Sequence, residues 1–106
     1  MIVTFKVLDV YNMSRLQSMR QRIRDRDYHL SSHAEDEMVD DDLDRKDVEH
    51  AILKGTIKKK LNRDTRGTRY RIEGPARDGR IINVITRFRQ ARNLIIITVY
   101  ALREEQ

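Results

Sequence analysis

The sequence predicts an α+β domain in which N-terminal helices pack on a C-terminal four-stranded antiparallel sheet. Three observations carry this expectation. Apolar residues recur at helical spacing as far as Gly55, and from there they alternate with polar ones. The turn residues between the later segments leave only short connections, which make neighbouring strands antiparallel. Helices first and strands afterwards is the order of an α+β domain, not of repeated βαβ units. A length of 106 residues suits a single domain over 1–106.

Val3, Phe5 and Val7 alternate with Thr4 and Lys6, which permits a short opening strand. Ser14 and Gln17 have capping-box spacing, and Leu16, Met19 and Ile23 then form one apolar stripe. A helix is therefore expected over 15–26, with Arg15, Arg20, Arg22, Arg24 and Arg26 on its solvated face. Ser32-His33-Ala34-Glu35 is a second capping box, opening a short helix that points Ala34 and Met38 inward. Asp44 caps a third helix, with Asp47 in the first turn, where the helix dipole favours negative charge. Val48, Ala51 and Ile52 are its buried stripe, and Gly55 its left-handed stop.

Strands are expected over Thr56–Leu61, Thr68–Glu73, Arg80–Phe88 and Leu94–Ala101. Asn62-Arg63-Asp64, Gly74-Pro75 and Asp78-Gly79 fall between them as turns. Tyr70 and Ile72 face the core, leaving Arg69, Arg71 and Glu73 on the other side. In the last strand Ile95, Ile97 and Val99 share one face, and Ile96, Thr98 and Tyr100 the opposite one.

Composition narrows the chemistry. Cysteine is absent, which excludes disulfides and thiolate metal sites and makes a reducing cytoplasm the expected home. The apolar start, Met1 to Leu8, is interrupted by Lys6 and is too short for a signal core or a membrane span. Net charge is +5, unevenly distributed. Residues 1–54 hold 9 basic and 12 acidic side chains, whereas residues 55–106 hold 13 basic and 5 acidic. A basic half favours a polyanionic partner, because each neutralised phosphate releases condensed counterions. The competing explanation is that charged strands keep a small sheet soluble.

The acidic run Asp40-Asp41-Asp42-Leu43-Asp44 matches the first three ligand positions of a calcium loop, then fails at Arg45 and Ala51. A solvated loop with a helix cap accounts for it better. His29 and His33 are four apart, but His29 precedes the helix, so a shared zinc face is not expected. His33 opens a helix, where unsatisfied N–H groups suit an anion and a neutral imidazole suits a general base; local hydrogen bonding is the alternative. Arg66, Arg69 and Arg71 present guanidiniums that fork onto phosphate oxygens, or else simply solvate a strand. Thr98 and Tyr100 share a face and supply hydroxyls, unless Tyr100 is a core aromatic. The stretch from Lys58 to Arg92 carries 12 basic and 3 acidic side chains, so Lys58, Lys60, Arg66, Arg71, Arg87 and Arg89 are candidate nucleic-acid contacts.

The segments SSHAEDEM, DVEHAILKGTI, RGTRYRIEGPARDGRIINVI and IIITVY resemble the bacterial family catalogued as domain of unknown function 4258. The resemblance covers about residues 28–101 and leaves 1–27 as a helical extension. That family is similar, more remotely, to the RelE-like and barnase-like folds of small toxin ribonucleases. The resemblance implies metal-independent RNA cleavage by attack of a ribose 2′-OH on its own phosphodiester, with no cofactor. It implies His33 as base, Arg69 as phosphate clamp, and Thr98 with Tyr100 as the remaining polar wall. RNA is the implied substrate, an antitoxin-like protein the implied partner, and a homodimer is compatible with it; no membrane is involved. Glu37 stands where the family often has an arginine, which surrounds His33 with Glu35, Asp36 and Glu37. Two other readings are a non-enzymatic nucleic-acid-binding module and a protein-interaction partner of a toxin–antitoxin-type system.

Overall fold

A computed structural model describes residues 7–61, 66–89 and 93–103, with side chains from residue 13 onward. The chain order is α1 (Val7–Arg24), β1 (Tyr28–Leu30), α2 (Ser32–Asp40), α3 (Arg45–Lys54), β2 (Thr56–Leu61), β3 (Arg69–Pro75), β4 (Ile81–Arg89) and β5 (Asn93–Ala101). The architecture is α+β, with three helices before a sheet of order β1-β5-β4-β3-β2. The sheet is five-stranded and mixed, not four-stranded and antiparallel, because β1 pairs in parallel with β5. A strand of three residues is too short to show alternation, so periodicity could not reveal it.

Helix α1 begins at Val7, eight residues before the expected start at 15. Ser14 lies inside it, its carbonyl accepting the Ser18 hydroxyl, and so does not cap. Val3 to Lys6 of the proposed opening strand lie outside the described residues, as does the Asn62-Arg63-Asp64 turn. Helix α1 stops at Arg26 with φ 53°, where Asp27 N–H bonds the Arg22 carbonyl and Arg26 N–H that of Ile23. The same closing pattern ends α2 around Asp42, with φ 53°, and there the flanking Leu43 and Met38 are both buried.

The cap of α2 is Ser31, not Ser32. Its Oγ accepts the Ala34 N–H and donates to the Ile97 carbonyl, so one hydroxyl both starts the helix and ties it to β5. The capping box at α3 is present as expected, between Asp44 and Asp47. Gly55 is extended (φ −92°, ψ −170°), not left-handed. Glycine is needed there because a Cβ would collide with the carbonyls of Glu73 and Ala51. Gly74 and Pro75 continue β3, so the hairpin turn lies over 76–80, where Gly79 takes φ 91°.

All three helices lie on one face of the sheet. Met19, Met38, Val48, Ala51 and Ile52 pack there with Tyr70, Ile72, Ile82, Val84, Leu94, Ile96 and Val99. Burying such side chains contributes roughly 1.5–3 kcal/mol each and carries the stability of the layer. The register shifts between Ile85 and Thr86, so that Ile97 and Thr98 together face Ile85. The bulge reverses the alternation along β5. Leu94 and Ile96 are in the core before it and Val99 after it, which overturns the expected grouping of Val99 with Ile95 and Ile97.

Two arginines close helix ends from a distance. Arg20 of α1 donates to the carbonyls of Ile52 and Gly55 at the end of α3. Arg80 donates to the carbonyls of Asp41 and Asp42 at the end of α2.

Candidate functional site

Opposite the helices, the sheet presents a second face whose composition follows from strand register. Because Tyr70 and Ile72 point into the core, Arg69, Arg71 and Glu73 point away from it. Arg69 pairs with Arg87, Arg87 with Ile95, and Ile95 with His29. These four residues form one lateral row across β3, β4, β5 and β1. The next row is Lys59, Arg71, Ile85 and Thr98, and a third joins Glu73, Asn83 and Tyr100.

The first row sits in a cleft of about 450 Å³. Arg66, Arg69, Arg87 and Arg89 line it, with His29, Ser31 and Ser32 at the β1 side and Ile95 and Ile97 among them. Among the described residues its lining holds four guanidiniums and no carboxylate. A guanidinium stays charged across the physiological range and presents a planar fork of donors, so the cleft is suited to a phosphate.

The structure therefore brings together Arg66, Arg69, Arg87 and Arg89 from the sequence-predicted set. Arg71 lies one row away and donates to Asn83 Oδ1 at 2.6 Å, with Glu73 3.8 Å from it. Asn83 is fully buried, and its Nδ2 has no hydrogen-bond partner among the described residues. Lys60 pairs with Tyr70 and so takes the helix-side parity, Lys59 shares the arginine face with Arg71, and Lys58 falls in the register shift of β2. Thr98 and Tyr100 are half-buried in the second and third rows.

His33 is outside the cleft lining. Its Nε2 lies 3.2 Å from Glu37 Oε1, and the imidazole is 67% exposed. Glu37 Oε1 also accepts the Val99 N–H at 3.1 Å, while Asp41 Oδ2 accepts that of Ala101. Strand β1 covers β5 only as far as Ile96, and the side chains of Glu37 in α2 and Asp41 at its C-terminal cap satisfy the β5 edge beyond it. Glu37 thus holds α2 against the strand that carries Thr98 and Tyr100.

In the sequence His29 is weighed only as a zinc ligand and Ser32 only as a helix cap, and Ser31 is not singled out. The signal that places all three at the cleft is β1 itself. Tyr28 and Leu30 turn toward the core, leaving His29 on the arginine face. Tyr28 fastens this strand, donating to Glu49 Oε2 at 2.7 Å beneath the Arg45 guanidinium. Burial, together with the Glu49 carboxylate, pushes the Tyr28 phenol up to about 12.

Other charges serve the scaffold. Burial works against ionisation of Asp47, but amide hydrogen bonds from Asp44 and Arg77 and the Arg77 guanidinium outweigh it. They hold the carboxyl below its ordinary range. The Arg80 amide and guanidinium likewise lower Asp78. No described helix is long and apolar enough to cross a membrane.

No curated protein and no solved structure matches this chain. The family model described as Domain of unknown function (DUF4258) matches residues 30–101, from the end of β1 to the end of β5. That span includes α2, α3 and every cleft residue except His29, and leaves α1 outside it. The chain belongs to the DUF4258 family.

Proposed function

We propose that this protein is a small endoribonuclease that grips single-stranded RNA by its phosphates and cleaves it without a metal. The observation that carries this reading is the convergence of Arg66, Arg69, Arg87 and Arg89 on one cleft beside a histidine. Histidine and arginine supply what transesterification needs. An imidazole moves the proton of the attacking 2′-OH, and guanidiniums balance the charge that grows on the phosphorane oxygens. DNA lacks that nucleophile and is bound without being cut. An open sheet face with apolar floor residues suits splayed, single-stranded RNA better than a duplex. Such an enzyme works in the cytoplasm, is similar in chemistry to RelE-like toxins, and requires a neutralising protein partner.

The test is cleavage of a mixed-sequence RNA in EDTA by wild type, Arg69→Ala and Arg87→Ala. Cleavage by wild type, reduced on the order of 100-fold in each variant, is expected when a transition-state donor is removed. Cleavage at the wild-type rate in both variants contradicts the site.

A second reading is a non-enzymatic RNA-binding module. The pairing of His33 with Glu37, away from the arginine cleft, favours it. Intact RNA in every lane, with salt-dependent binding that Arg87→Ala weakens, selects this reading.

A further inference from the structure

The geometry points to His29 as the proton-transfer residue of the arginine cleft, acting on a phosphodiester seated over Ile95. This inference rests on the ribonuclease reading and specifies its base. His29 and Arg87 pair with the same residue, Ile95, from its two sides. With strands about 4.8 Å apart, their backbones are about 10 Å apart across that residue, a gap that one phosphate with its ribose fills. Ile95 is 5% exposed and contributes an apolar floor with no polar group to compete for the phosphate oxygens.

His29 is also held in place. Its neighbours anchor β1, Leu30 in the core and Tyr28 on Glu49, while Ser31 N–H bonds the Ile96 carbonyl. The chain's other two histidines are committed elsewhere. His33 pairs with Glu37 on α2, and His50 Nδ1 donates to the Pro75 carbonyl at 2.7 Å. His29 is therefore the cleft's own imidazole.

In the step assigned to it, the neutral His29 imidazole accepts the ribose 2′-OH proton as the O2′–P bond forms. The P–O5′ bond breaks, the 5′-oxygen takes a proton from water, and the imidazolium returns its proton to solvent. The product is a 2′,3′-cyclic phosphate. Among the described residues, the charged groups that share cavities with His29 are Arg66 and Arg69, Arg87 and Arg89 of β4, and Arg26 and Asp27 before β1.

Two readouts test the assignment. In the first, the three imidazoles are followed by NMR while the wild-type protein is titrated with 2′-O-methyl RNA, which binds but lacks the nucleophile. The His29 resonances are expected to shift, while those of His50 stay fixed. In the second, cleavage is measured against pH for wild type, His29→Gln and His33→Ala, each checked for an unchanged urea midpoint. His29→Gln is expected to lose on the order of 100-fold in rate, together with the wild-type pH dependence, while still binding the methylated RNA. His33→Ala is expected to match wild type. If wild type cleaves RNA and His29→Gln cleaves it equally well with the same pH profile, the His29 assignment fails and the ribonuclease reading survives. If wild type leaves RNA intact, that reading fails and takes the assignment with it.

Discussion

A single carboxylate joins two distant parts of this chain. Asp47 Oδ2 accepts the Asp44 N–H, and its Oδ1 accepts both the Arg77 amide and the Arg77 Nε. Its carboxyl is held below the ordinary value of 3.8, so it adds stability above that pH and loses it as pH falls through the lowered value. Asp47→Ala is expected to cost about 2 kcal/mol in urea unfolding at neutral pH, with a shallower loss of stability than wild type below about pH 4. An unchanged midpoint at neutral pH would contradict this role. The Asp44–Asp47 box was legible because both partners lie within one helical turn. Its reach to Arg77, 30 residues away, was not, since no local spacing encodes it. Glu37 shows the same limit. Beside His33 in the sequence it reads as misplaced negative charge, yet in the fold it satisfies the Val99 N–H that β1 does not reach.

Between elements, the tightest fit is where α3 and the Gly55 that follows it meet β3. A Cβ on Gly74 would meet the Ala51 carbonyl and the Gly55 backbone, so helix and strand approach at a distance only glycine allows. Gly74→Ala is expected to destabilise by about 3 kcal/mol, read as a lowered denaturation midpoint; a change within about 0.5 kcal/mol would contradict the close approach. The four long strands were legible to within two residues at each end, because Tyr70-Arg71-Ile72-Glu73 alternates cleanly and turn residues bound the others. What escaped lay where alternation carries no information. Tyr28–Leu30 is too short to establish a period, and Leu94-Ile95-Ile96-Ile97 is apolar throughout, so the bulge that reverses the faces leaves no mark in the pattern. Missing β1 also meant missing His29. The arginines of the cleft were legible as residues, but their meeting depends on the β3–β4–β5 register.

Across the whole molecule, charge and architecture divide together. The half of the chain that builds the helices carries a balance of −3, and the half that builds the four long strands carries +8. The helices cover one sheet face, leaving the arginine row to look outward over Ile95. Several arginines separate by role, with Arg20, Arg77 and Arg80 fastening helix ends and Arg66, Arg69, Arg87 and Arg89 gathered at the cleft. The proposed function rests on the claim that this cleft receives RNA phosphate. Its most direct test is the affinity for single-stranded 2′-O-methyl RNA across a salt series, measured for wild type and for Arg69→Ala/Arg87→Ala. Loss of two phosphate contacts is predicted to weaken binding more than tenfold at low salt and to flatten the log–log salt slope by about 1.4. An affinity and a slope that both match wild type would contradict the claim.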